Sequence, residues 1–174
     1  MEISALRRRC MARVAALTLP QPFDLATFCA LVAEQRGRPL VLRAMPLAGI
    51  AYGVCLSTQA EDYILYEQDT SQFHQQHIIL HEIGHLICGH HAVSPAGTPT
   101  ESLLGDVRPE RLRAVLHRAS YSAIDEREAE LLATLIEQRA GAMPTLPASP
   151  LSQHMAESFD DGPVRRQTQR DGRS

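Results

Sequence analysis

The chain reads as an α+β protein, a mainly helical domain carrying a small three-stranded, mainly antiparallel sheet. Three observations lead there. Several stretches repeat apolar residues at three- and four-residue steps, three short β-prone runs cluster between residues 40 and 66, and proline or glycine separates one stretch from the next. A length of 174 residues with 44% hydrophobic and 21% charged composition suits one globular domain. That domain is expected over residues 1–143. Residues 144–174, rich in Pro, Ser, Gln, Arg and Asp, lack a core-forming pattern and are expected to be a disordered tail, apart from a short helix around 151–159.

In order, residues 3–17 place Ile3, Leu6, Cys10, Val14 and Leu17 on one helical stripe, with Arg7, Arg8, Arg9 and Arg13 mostly elsewhere as a solvated face. Pro20 and Pro22 break the chain. Asp24 can then cap a second helix whose Leu25, Phe28, Cys29 and Val32 share a face, and Gly37 and Pro39 end it. The runs 40–42, 50–56 and 63–66 are the three strands, separated by Pro46, Gly49 and the polar 57–62 stretch. Asp69, Thr70 and Ser71 offer caps for a third helix, in which Phe73, Leu80, Ile83, Ile87 and Cys88 form the apolar side. Gly84 lies inside it. Because glycine costs about 1 kcal/mol relative to alanine in a helix interior, another backbone or a substrate is expected to pass close by.

Residues 92–109 hold Pro95, Gly97, Pro99, Gly105 and Pro109 and read as a functional loop of a length suited to covering a substrate. Pro109 then opens a helix with Leu112, Val115 and Leu116, and a last helix covers 125–138.

The net charge of −3 gives no general attraction to phosphates, so no direct nucleic-acid partner is expected. Cys10, Cys29, Cys55 and Cys88 are far apart, contain no Cys-x-x-Cys pair and fall in apolar stretches, which predicts buried, reduced thiols. Residues 14–19 are too short for a signal-peptide core, and no apolar run approaches a membrane span. A cytoplasmic location without membrane contact is therefore expected.

The chemistry concentrates in His81-Glu82-Ile83-Gly84-His85. Two histidines four apart lie one turn above each other on a helix, so both rings can reach one ion about 2 Å from each nitrogen. Glu82 follows the first and falls beside the ion, where it can take a proton from metal-bound water. The expected cofactor is Zn2+, with His81 and His85 as ligands and Glu82 as general base.

A catalytic zinc site takes a third protein ligand. The acidic run 125–130 leads into the apolar residues 131–136, and within it Glu128 shares a face with Leu131, Leu132 and Leu135, which points it inward. Asp125 and Glu128 equally fit a capping box, which would use Glu128 to tie off the helix start. A helix capped earlier, at Ser120 or Ser122, would leave Glu128 for the metal; Glu126 and Glu130 stand in reserve. His77 and His74, four and seven residues before His81, lie near the ligand stripe but a turn or more from the ion. His90 and His91 suit the negative end of the helix, and His117 or Tyr121 are oxyanion donors on position alone.

The run from His81 to His90, followed by Glu126-Arg127-Glu128-Ala129-Glu130-Leu131-Leu132-Ala133, resembles the ImmA/IrrE family of metallopeptidases. That family carries His-Glu-Leu-Gly-His on one helix and Glu-Ala-Asn-x-Phe-Ala on a later one, and is gluzincin-like. The resemblance spans roughly residues 20–140. Glu130 stands where the family has Asn, and Leu132 where it has Phe.

The resemblance implies a zincin-like fold and a third zinc ligand at Glu128. It also implies a metallo-endopeptidase that cleaves a partner protein, a helix-turn-helix transcriptional repressor, and so releases its target genes. The rival reading is a non-cleaving component of a toxin–antitoxin-like pair that binds such a regulator and holds a structural zinc. A third is hydrolysis of a small amide. An intact Glu82 favours catalysis, because a structural two-histidine site has no need of it.

Overall fold

The computed structural model describes residues 3–47, 51–90, 92–93 and 121–141. The bulk of the expected 92–109 loop, the helix begun at Pro109, His91, His117 and the 144–174 tail lie outside the described residues. Among the described residues are four helices, α1 (Ile3–Ala16), α2 (Leu25–Arg36), α3 (Gln72–Cys88) and α4 (Ala123–Ala140), and four strands, β1 (Leu40–Met45), β2 (Gly53–Ser57), β3 (Asp62–Glu67) and β4 (Ala92–Val93). The α+β expectation therefore stands. No helix among the described residues is long and apolar enough to cross a membrane.

Helix boundaries follow local chemistry. Asp24 caps α2 by accepting the Thr27 N–H at 2.7 Å, and Gly37 ends it at φ 66°, in the left-handed region where glycine carries no side-chain penalty. Of the three residues able to cap α3, Ser71 does so, accepting the His74 N–H at 3.2 Å. Ser122 caps α4 in a reciprocal capping box with Asp125. On α1 the expected stripe buries Cys10, Val14 and Leu17, whereas Ile3 is exposed. On α3, Leu80 and Ile83 are buried, but Phe73, in the first turn, is exposed.

The sheet departs from expectation. Its order is β1-β3-β2-β4, with β1 parallel to β3, β2 antiparallel to β3 and β4 parallel to β2, so it is mixed, and the two-residue β4 is added to the expected three strands. Burial accounts for the order. In β3, Asp62, Tyr63, Ile64 and Leu65 are all buried, and in β2 Val54, Cys55, Leu56 and Ser57 are, so these two strands hold the inner places and β1 and β4 the edges. Period-two alternation then divides the side chains. Cys55 and Ile64 join the main core with α1, α2, α3 and α4, while Val54, Leu56, Tyr63 and Leu65 form a second cluster with Leu47.

Two contacts lock these layers. Arg36 donates from Nε to the buried Asp62 at 2.6 Å and from Nη1 to the Leu86 carbonyl at 3.0 Å, joining α2, the sheet and the last turn of α3. At Gly84, an added Cβ would lie 3.0 Å from both Cα and the carbonyl oxygen of Ala129. The expected close passage is thus the backbone of α4. Four free cysteines are found, three of them buried, as their apolar settings led one to expect.

A valine at position 84 should therefore force α3 and α4 apart, since the obstructing atoms are main chain and cannot rotate away. We expect Gly84→Val to lower unfolding stability by about 2 kcal/mol, within the range for overpacked cores. An unchanged urea midpoint would show that the two helices do not meet as closely as described.

Candidate functional site

Helix α3 brings His81 and His85 onto one face, one turn apart, with Nε2 of each ring 3.1 Å from the other. Glu126 of α4 completes the group: its Oε2 is 3.3 Å from His81 Nε2 and 3.8 Å from His85 Nε2. These three side chains form a possible metal-binding cluster. A tetrahedral ion at about 2.0–2.1 Å from each ligand would space them about 3.3–3.4 Å apart, close to the separations found. Two imidazole nitrogens and a carboxylate oxygen thus converge on one point, the donor set of a zinc-class cation.

Glu128 does not take part. Its carboxylate is buried and turned to α1, with Oε1 3.2 Å from Arg9 Nη2 and 3.8 Å from Arg13 Nε. The reserve residue Glu126, and not the expected Glu128, is the carboxylate that stands beside the two histidines. Residues two apart on an α-helix are rotated by about 200°, so only one of the two can point at the His81–His85 pair. Phasing is fixed by Ala129 against Gly84. The inward direction read for Glu128 holds, but what it meets is the arginine face of α1, which was expected to be solvated.

Around the three, Glu130 holds the next layer. Its Oε2 is 3.4 Å from His81 Nδ1 and 3.3 Å from His77 Nε2, and His77 Nδ1 meets Glu137 Oε1 at 3.1 Å. A carboxylate on His81 Nδ1 fixes the tautomer that leaves Nε2 free to ligate. His77 is thus outside the three-residue group, as its position a turn away suggested. His85 Nδ1, by contrast, is buried without a hydrogen-bond partner among the described residues. The Tyr121 ring stacks on His85, with centroids 3.9 Å apart and planes at 16°, and its buried hydroxyl also lacks a partner.

Glu82 sits on the sheet side. An added Cβ at Gly53 would lie 2.5 Å from Glu82 Oε1 and 2.7 Å from Ile78 Cγ2, so only glycine at this point of β2 leaves room for the carboxylate. Gly53 is a residue of this site that the sequence reading missed; a glycine inside a β-prone run was the available signal. Glu82 is buried and its Oε2 has no partner among the described residues. Burial pushes its carboxyl up to about 8, the Glu126 charge adds to this, and the Cys55 N–H opposes it. Burial likewise pulls the His85 ring down to about 3, reinforced by His81 and His90.

A cleft of about 540 Å³ joins these groups, lined by Ala51, Tyr52 and Gly53 of the sheet side and by His74, His81, Glu82, Tyr121 and Glu126, among others. No family model, curated protein or solved structure matches this chain. The site is therefore judged on its own geometry.

Two outcomes are expected. Zinc added to the metal-free protein should shift the ring NMR signals of His81 and His85. Glu126→Gln should weaken that response more than about tenfold, whereas Glu128→Gln should leave it in place; the opposite pattern would return the ligand to Glu128. The second concerns pH. Glu82 has a folded value near 8 against an ordinary 4.5, so the stability linked to its proton is full below 4.5 and is lost as pH rises through 8. Metal-free Glu82→Gln should gain on the parent protein across that window and show a constant difference below it in urea unfolding. A difference flat at every pH would mean that Glu82 titrates in the fold as it does in the open chain.

Proposed function

We propose that the protein is a zinc-dependent metallo-endopeptidase that cleaves a partner protein. One observation carries the reading: the His81–His85–Glu126 group shares a cleft with Glu82, a buried carboxylate that makes no ion pair among the described residues. A purely structural site has no use for such an acid. His81, His85 and Glu126 would hold the zinc, which when bound would supply Lewis acidity and a water of lowered pKa, about 7.

The chain's own groups then do the following. Glu82 accepts the proton of the attacking water and delivers it to the leaving amine, so the same carboxylate serves as base and then as acid. The Cys55 N–H steadies its charged form for the first task. Glu130, at His81 Nδ1, holds that ring in place.

The sheet offers a place for an extended substrate. The Tyr52 carbonyl accepts the Glu67 N–H at 2.8 Å, toward β3, so by alternation the main-chain groups of Gly53 face the other edge. β4 pairs only with Leu56 and Ser57, which leaves Gly53 beyond it among the described residues. A peptide laid along Gly53 would gain main-chain hydrogen bonds beside Glu82. By resemblance to the ImmA/IrrE enzymes, the substrate is a helix-turn-helix transcriptional repressor, whose cleavage releases its target genes.

Purified protein incubated with zinc and the regulator encoded beside it should cut that regulator. Glu82→Gln should reduce the rate by at least about a hundredfold while still binding it. If parent and mutant both bind the regulator and leave it intact, the protein is instead the non-cleaving partner of a regulatory pair, with a structural metal.

A further inference from the structure

The C-terminal end of α3 carries a second donor set. Gly89 closes the helix at φ 75°, with its own N–H on the Leu86 carbonyl and the His90 N–H on the His85 carbonyl at 2.9 Å. This turn carries His90 back over the helix end beside Cys88, and Glu128 of α4 completes the group. A thiol sulfur, a ring nitrogen and a carboxylate oxygen from Cys88, His90 and Glu128 all lie within 4.8 Å of one another. None of the three belongs to the His81–His85–Glu126 group.

The carboxylate of Glu128 is shared in a telling way. Oε1 meets Arg9 and Arg13 at 3.2 and 3.8 Å, while Oε2 meets His90 Nε2 at 3.7 Å. One oxygen thus serves the arginines and leaves the second for the cluster. His90 Nε2 also approaches Asp125 Oδ1 at 3.3 Å, and His90 Nδ1 is buried without a hydrogen-bond partner among the described residues. The Cys88 thiol hydrogen-bonds the Glu128 carboxylate as well, so sulfur, imidazole and carboxylate already gather at one point.

We propose that Cys88, His90 and Glu128 form a second metal site, for a borderline-soft divalent cation of the zinc class, independent of the peptidase reading. The donor types select the ion, since sulfur and imidazole disfavour magnesium and calcium and suit zinc or cobalt. On binding, the Cys88 thiol loses its proton to water and the sulfur becomes a ligand. Thiolate and carboxylate together then balance the divalent charge, leaving the loaded cluster neutral beside Arg9 and Arg13. The bound ion would clamp the end of α3 to α4 one turn from His85, whose ring packs against that of His90 with centroids 5.6 Å apart.

Cobalt distinguishes the two sites, because a cobalt–thiolate bond gives a near-ultraviolet charge-transfer band that histidine and carboxylate ligands do not. Cobalt added to the metal-stripped full chain should produce this band, and elemental analysis after zinc loading should find two equivalents per chain. Cys88→Ser should abolish the band and leave one zinc equivalent, whereas Glu126→Gln should keep the band. His90→Ala should weaken it, providing a second test should Cys88→Ser fold poorly. Absence of the band from the parent protein, or its persistence in Cys88→Ser, would overturn the assignment. Neither result bears on zinc-dependent cleavage.

Discussion

At Gly84 the main chain of α4 comes within 3.0 Å of where a side chain on α3 would begin. The contact brings two helices together on main-chain atoms, which have no rotamers to adjust. It therefore fixes the rotation of α4 as well as its distance. Rotation is what matters here, because α4 carries acids at 126, 128 and 130 and its phase decides which neighbour each one meets. With Ala129 against Gly84, Glu126 and Glu130 turn toward the histidines and Glu128 toward the arginines of α1.

The result is an alternation of acids and imidazoles along the α3–α4 seam: Glu137, His77, Glu130, His81 and Glu126 in succession, each within 3.4 Å of the next. Opposite charges or hydrogen-bonding partners in series stiffen such a row, since moving one member disturbs two others. Glu82 belongs to a different support. It rests in the notch at Gly53 and on the Cys55 N–H, away from that row, and feels Glu126 only as a charge. One carboxylate is thus surrounded by partners and partly exposed, the other buried and nearly alone. Burial in that setting raises the proton affinity of Glu82.

Features set by nearest neighbours along the chain were legible in the sequence. His81 and His85 meet because helical pitch makes them meet, and Asp24, Ser71 and Ser122 cap helices through bonds three residues long. Gly84 also signalled a close approach, although not what approached. Features set by distant segments were hidden. The placement of β3 between β1 and β2 depends on burial from two faces, which no single run reveals. Glu128 was correctly read as inward, yet an apolar face records that a residue is covered and not by what. Its cover proved to be Arg9 and Arg13, more than a hundred residues earlier.

The notch at Gly53 ties two distant positions to a common fate. Any side chain there would occupy the space of the carboxylate at 82, so the two sites cannot drift separately while the acid is kept. Among proteins that share this architecture, a bulky residue at the first position and a shortened one at the second should arise as a pair. A reader of such sequences would then have a marker of whether the carboxylate at 82 is kept, lying on a strand, far from the histidine motif itself.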